Sequence, residues 1–163
     1  MPPILKVMNT ENPYLDEIKG MLTYHIHRIS HLIQLKGGQV MKEKEIPIDM
    51  DQLPVLMCVF LGEGISQQEV AGYCDRDKAS VKRTLTVFEK KGLIKITPNA
   101  EDKRKTIVQT TDAGNFITEQ IREMIREAEK EIFSFLNKKE RKELLENLQR
   151  ILSKIESAGC EKM

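Results

Sequence analysis

The stretch 66-SQQEVAGYCDRDKASVKRTLTVFEKKGLIKITPNAEDKRKTIVQT-110 decides how this chain is read. Ser66 and Glu69 are spaced as a capping box, in which the hydroxyl and the carboxylate satisfy amides orphaned at a helix start. Val70, Ala71 and Tyr73 follow on that short helix, and residues 74–77 (CDRD) make a tight turn. A second helix then places Val81, Leu85 and Phe88 at i, i+4 and i+7, the spacing of one buried face. Its other side carries Ala79, Ser80, Lys82, Arg83 and Thr86, all small or hydrogen-bonding. Gly92 stands where a left-handed residue ends a helix. Residues 93–98 (LIKITP) and 105–110 (KTIVQT) alternate with β-branched residues and read as strands. The polar segment between them has the length of a hairpin loop.

Two helices about a short turn, followed by a hairpin with a charged tip, have winged helix–turn–helix geometry. The second helix enters a DNA major groove only if its outer face is narrow near its start, and Ala79 and Ser80 keep it so. Lys82 and Arg83 then reach guanine edges or phosphates, and Thr86 a phosphate or a thymine methyl. Amides at the helix start attract the backbone anion. Three consecutive cations, Lys103, Arg104 and Lys105, occupy the hairpin tip. Lys103 and Arg104 are the candidates for minor-groove insertion. Asp102 is assigned an organising role, accepting a hydrogen bond from Arg104 or from a turn amide.

Charge supports this reading without proving it. Between Arg76 and Lys105 there are ten basic residues and four acidic ones, in a chain whose formal net charge is only +1. A local basic segment is an electrostatic footprint for a polyanion, although a solvated helix face in a plain bundle has the same charge.

The rest of the 163 residues reads as helix. Asn12-Pro13 is a start signal, and Leu15, Ile18, Leu22, Ile26, Ile29 and Ile33 continue one helical stripe. Gly37-Gly38 interrupts or ends it. Asp49 or Asp51 caps a helix carrying LPVLMCVFL, and Pro54, tolerable only in a first turn, favours Asp51. This helix is apolar on most sides and is expected to be buried. Thr111 opens a long helix with a stripe from Phe116 to Leu136. Asn137 and Glu140 cap a last one carrying Leu144, Leu145, Leu148, Ile151, Leu152 and Ile155. The expected fold class is mainly α with a small β-hairpin wing. Residues 46–110 form the winged helix–turn–helix domain, and 12–45 with 111–157 form a helical dimerisation lobe. Stripes this long need burial that a lone winged motif cannot supply.

Within this frame the sequence resembles the MarR (multiple antibiotic resistance regulator) family. The resemblance rests on Ser66-Gln67, Lys78-Ala79-Ser80-Val81, Glu89 to Ile94, Asp102-Lys103-Arg104 and Thr110 to Gly114. Asp75 departs from the glycine often found in the motif turn, and Thr110 from the leucine before the terminal threonine. The resemblance implies a homodimer and adds Ser66, Gln67 and Lys78 to the DNA-contacting residues. It also implies a small-molecule effector pocket near Tyr24, His27, Met57 and Phe60. The function expected is that of a dimeric regulator, a repressor, reading a pseudo-palindromic operator on double-stranded DNA. The alternative is a winged-helix protein-interaction module.

Other chemistries are weakly supported. His27 and His31 are i, i+4 and could give two metal ligands, but a third must come from elsewhere, and interface histidines are the simpler reading. Cys58, Cys74 and Cys160 include no CxxC pair; Cys74, at the motif turn, is the thiol to test first for redox sensing. No nucleophile–base pair, phosphate loop or carboxylate dyad is visible, so no enzyme and no cofactor are expected. Neither a signal peptide nor a membrane-crossing run is present, and a cytoplasmic location is the default.

Overall fold

The computed structural model describes residues 13–62, 64–99 and 105–160. Its elements run α1 (Pro13–Lys19), α2 (Leu22–Glu43), a 3-10 turn (Met50–Gln52), α3 (Leu53–Leu61), β1 (Ile65–Ser66), α4 (Gln67–Tyr73) and α5 (Lys78–Lys90). Then follow β2 (Ile94–Pro98), β3 (Thr106–Thr110), α6 (Asp112–Ile132) and α7 (Lys138–Cys160). The mainly helical chain with a small antiparallel sheet matches the expected class. Described residues up to Thr118 form one compact unit, and those from Glu119 a second.

In the first unit the core is apolar and dense. Val55, Leu56 and Val59 of α3, Val70 of α4, Val81, Leu85 and Phe88 of α5 and Val108 of β3 are each at most 1% exposed. Burial of such side chains is worth about 1.5–3 kcal/mol apiece, so α3, α4 and α5 are fixed chiefly by their apolar faces. The sheet has the order β1-β3-β2. Ile94 pairs with Thr110 and Pro98 with Thr106 in the hairpin, and Ile65 pairs with Val108 at the other edge. Strand β1 is only two residues long, too short to leave a periodic trace, and was not expected. Ser66 ends that strand and caps α4 at once.

Four local expectations are corrected. The stripe from Leu15 to Ile33 is not one helix: the Gly20 N–H returns to Asp16 O and Glu17 O, and Met21 is extended (φ −82°, ψ 135°). A lone glycine makes that break while the apolar spacing runs on across it. Helix α2 instead continues through Gly37-Gly38, and a Cβ at Gly37 would stand 3.0 Å from Met50 Cε. The glycine pair therefore makes room for the Met50 side chain. Asp49, not Asp51, forms the capping box, with Gln52, and the 3-10 turn it starts leads directly into α3. Leu136, expected on the α6 stripe, lies beyond the end of that helix.

The burial expected of α3 holds for Leu53, Val55, Leu56 and Val59, whereas Leu61 is 72% exposed. In the second unit α7 starts as expected, with Asn137 Oδ1 accepting from the amides of Lys139 and Glu140 while Glu140 accepts from Asn137 N–H. No side chain from Lys138 to Ala158 is buried.

Candidate nucleic-acid interface

Helix α4 begins with both halves of the capping box formed: Glu69 N–H donates to Ser66 Oγ (3.2 Å) and Ser66 N–H to Glu69 Oε2 (2.9 Å). The Ser66 hydroxyl first, and its amide second, hold the Glu69 carboxyl below its ordinary pKa. Cys74 closes the helix, and the chain turns through Asp75 at φ 48°. This is the left-handed region that favours glycine, and aspartate is among the few other residues that enter it readily. The departure at Asp75 therefore leaves the turn's conformation in place.

Asp77 then caps α5, its Oδ1 accepting from Ser80 N–H at 2.8 Å. The sequence reading passed over this role, although an aspartate directly before a helical run is itself a cap signal. With about 100° of rotation per residue, Lys78, Lys82, Thr86, Ala79 and Arg83 share one side of α5. All five are exposed, while Val81, Thr84, Leu85 and Phe88 opposite are buried. Among the described residues, Lys78, Lys82 and Arg83 make no ion pair or side-chain hydrogen bond, whereas Ser80 is half-buried. Thr86 Oγ1 donates back to Lys82 O (2.9 Å), which leaves its lone pairs and methyl outward.

The other cations divide by role. Arg76 donates to Asp51 O (2.6 Å) and Lys91 to Pro47 O, so both brace the loop before α3. Gln67, expected to touch DNA, is half-buried and donates to Thr106 Oγ1 on β3 (3.4 Å). Lys103, Arg104 and the organising Asp102 lie outside the described residues.

The base of the wing is clamped. Gly92 (φ 68°) ends α5 in the left-handed position, and Leu93 N–H returns to Phe88 O. Thr111 donates its N–H to Leu93 O (3.0 Å) and its hydroxyl to Gly92 O (2.6 Å), while the same hydroxyl accepts from Gly114 N–H. Gly114 lies so close that a Cβ there would stand 1.9 Å from Leu93 O. One threonine thus caps α6 and ties it to the end of α5.

A MarR family model matches residues 48–106, the span from the loop before α3 to the start of β3. The chain carries a MarR-family domain. It is 29% identical over 108 residues, 66% of either protein, to the uncharacterized HTH-type transcriptional regulator YdgJ of Bacillus subtilis. It is 27% identical over 100 residues to the multiple antibiotic resistance protein MarR of Escherichia coli, a match covering 60% of this chain and 69% of that one. The chain thus spans about two thirds of the length of these relatives. A crystal structure of the S. aureus MepR–DNA complex superposes with TM-score 0.73 at 24% identity, over 84% of this chain and 98% of that one. At that identity the likeness is one of fold. The MarR-family segment contains every described residue assigned to the DNA face.

Outside it, His25 Nε2 lies 2.8 Å from Lys19 O, and its ring meets Tyr24 edge-on with centroids 5.3 Å apart. Among the described residues, no three His, Cys, Asp or Glu side chains gather to hold a metal. No described helix is long and apolar enough to cross a membrane.

Proposed function

We propose that this protein is a homodimeric, cytoplasmic transcriptional regulator, a repressor that reads a pseudo-palindromic operator on double-stranded DNA. The observation that carries the reading is the outer face of α5. Three cations, a small residue and a threonine stand together on a helix whose other face is sealed in the core, and Lys78, Lys82 and Arg83 have no internal use. Arg83 and Lys82 contact base edges or their flanking phosphates. Lys78, Ser80 and the amides at the α5 start contact backbone, as does Ser66 at the start of α4. Gln67 supports the wing from β3 and reaches DNA only by exchanging that bond. Lys103 and Arg104 enter the minor groove, ordered by Asp102.

Dimerisation is supported by the apolar residues left in solvent. Leu22 is 75% exposed and Ile29 54%, and Leu145, Leu152 and Ile155 of α7 are 55–66% exposed. Monomers rarely leave such stripes uncovered. Residues 12–45 and 111–157 are therefore assigned to the dimer lobe and 46–110 to the DNA-binding domain. A two-fold dimer presents two copies of α5 to two half-sites. A small-molecule effector regulates occupancy by changing the separation of those helices.

The test is selection of bound sequences from a random DNA pool, followed by affinity measurements across a salt series. Enrichment of an inverted repeat and a steep fall of affinity with salt are expected, because phosphate contacts release counterions. Absence of any enriched sequence, with salt-insensitive binding, would leave the fold as a protein-interaction module.

A further inference from the structure

Thr86 donates its hydroxyl proton to Lys82 O at 2.9 Å. The bond draws the hydroxyl back toward the preceding turn of its own helix, as serine and threonine inside helices often do. A hydroxyl has one proton to donate, and here it is committed within α5. A DNA phosphate offers acceptors only, so Thr86 cannot bond to one without breaking its tie to Lys82. The methyl, the second branch on its Cβ, is the part left to meet a partner.

The place of Thr86 on the helix decides what that partner is. At about 100° per residue around α5, Lys78 stands at roughly 0°, Lys82 at about 40°, Thr86 at about 80°, Ala79 at about 100° and Arg83 at about 140°. The cations thus form the two shoulders of the exposed face, and Thr86 and Ala79 form its crown. All five side chains are exposed, whereas Val81, Thr84, Leu85 and Phe88 are buried on the other side. A helix lying in a major groove turns its crown to the base edges on the floor and its shoulders toward the phosphate walls, from which a long arginine still reaches a base. The group on that floor that matches a methyl is the C5 methyl of thymine.

We propose that Thr86 is a specificity-determining residue that reads thymine by methyl–methyl contact and is not a phosphate ligand. It lies about 4.5 Å beyond Arg83 along the helix axis at about 1.5 Å per residue, against about 3.4 Å per base pair. The thymine it reads therefore lies within about two base pairs of the pair that Arg83 contacts. The proposal rests on α5 being the DNA-reading helix.

The test uses the full chain and the operator selected from a random pool. Each thymine of a half-site is replaced in turn by deoxyuridine, which removes the C5 methyl and keeps the base pairing. The wild type should lose roughly fourfold in affinity, the worth of one buried methyl, at one thymine near the pair read by Arg83. Thr86→Val keeps a methyl and has no hydroxyl, so it should bind as the wild type does and show the same loss. Thr86→Ser keeps the hydroxyl and has no methyl, so it should bind roughly fourfold more weakly and no longer tell thymine from deoxyuridine. The two bases are compared within each protein, so a change in fold or in overall affinity cancels. If Thr86→Ser binds as the wild type does and Thr86→Val binds weakly, with deoxyuridine harmless throughout, the hydroxyl is the contact and the proposal is overturned while DNA reading stands. If both variants keep the discrimination, another residue reads that methyl and the proposal is again overturned. If the pool yields no enriched sequence, the reading of α5 as the DNA helix fails, and the role of Thr86 fails with it.

Discussion

Replacement of Gly114 by alanine tests the clamp at the base of the wing. A Cβ at this position would lie 1.9 Å from Leu93 O and 2.9 Å from Leu93 C, both backbone atoms that cannot swing aside. Real Cβ contacts stay beyond 3.0 Å, so α6 and the Leu93 carbonyl must part by at least 1.1 Å, the difference between 3.0 and 1.9. The same carbonyl accepts from Thr111 N–H at 3.0 Å, and the Thr111 hydroxyl holds Gly92 O at 2.6 Å. Parting by that distance breaks at least one of these bonds, at about 0.5–1.5 kcal/mol net. Overpacking adds about 1–3 kcal/mol. Alanine's better helix propensity offsets about 1 kcal/mol of the total. The expected loss is about 1–3 kcal/mol, which at roughly 2–4 °C per kcal/mol for a chain of this size lowers Tm by several degrees.

The control is Gly72→Ala on α4, where a Cβ meets nothing within 4 Å. There the propensity gain stands alone, and Tm should hold or rise. Both variants are melted beside the wild type at one protein concentration, since self-association makes Tm concentration-dependent. If Gly114→Ala melts at or above the wild type, as Gly72→Ala should, the clamp is not rigid and the argument from contact is wrong.

Asp77→Ala should cost about 1 kcal/mol, the usual worth of an N-cap, and Asp77→Asn only a fraction of that; equal losses in thermal melts would mean that Asp77 acts by charge and not by capping Ser80. Arg83→Ala should weaken operator binding more than binding to random DNA, by about 1–3 kcal/mol of discrimination, and an equal loss on both would reduce Arg83 to a phosphate contact. Because the Ser66 hydroxyl lowers the pKa of Glu69, its stabilisation is fully present above the ordinary carboxylate pKa and drains away as pH falls through the lowered one. Glu69→Gln should therefore flatten the acid side of the stability–pH curve, and an unchanged curve would remove the capping box from acid stability.

Much of the winged motif was legible because its signals are local. Ser66 with Glu69, the spacing of Val81, Leu85 and Phe88, Gly92 and the two alternating runs each dictate conformation through their neighbours. Other misreadings arose where distant atoms decide, beyond the local ones at Gly20 and Asp49. Nothing near Gly37 says that Met50 will lie against it, and nothing near Gln67 names Thr106 as its partner. Charge misled in a similar way. Arg76 and Lys91 count toward the basic segment, yet they hold the carbonyls of Asp51 and Pro47. A charge count cannot separate cations used in folding from those left to meet a ligand.

The clamp also bears on how regulation would reach α5. Thr111 bonds to Gly92 and Leu93 on one side and caps α6 at Gly114 on the other. The last turn of α5, the start of β2 and the first turn of α6 therefore move as one piece. Gly114 leaves no slack between them, since even a Cβ there would stand 1.9 Å from the Leu93 carbonyl oxygen. At its other end α5 is held by the Asp77 cap and the Asp75 turn, which depend on α4. Rotation of the first turn of α6 cannot be absorbed at the wing base and must be passed to α5. The clamped end of α5 thus gives regulation a handle: a lever through α6 for a ligand that repositions helices. A ligand acting through this lever should lose its effect on DNA affinity in Gly114→Ala; an undiminished effect would mean that the wing base passes nothing to α5.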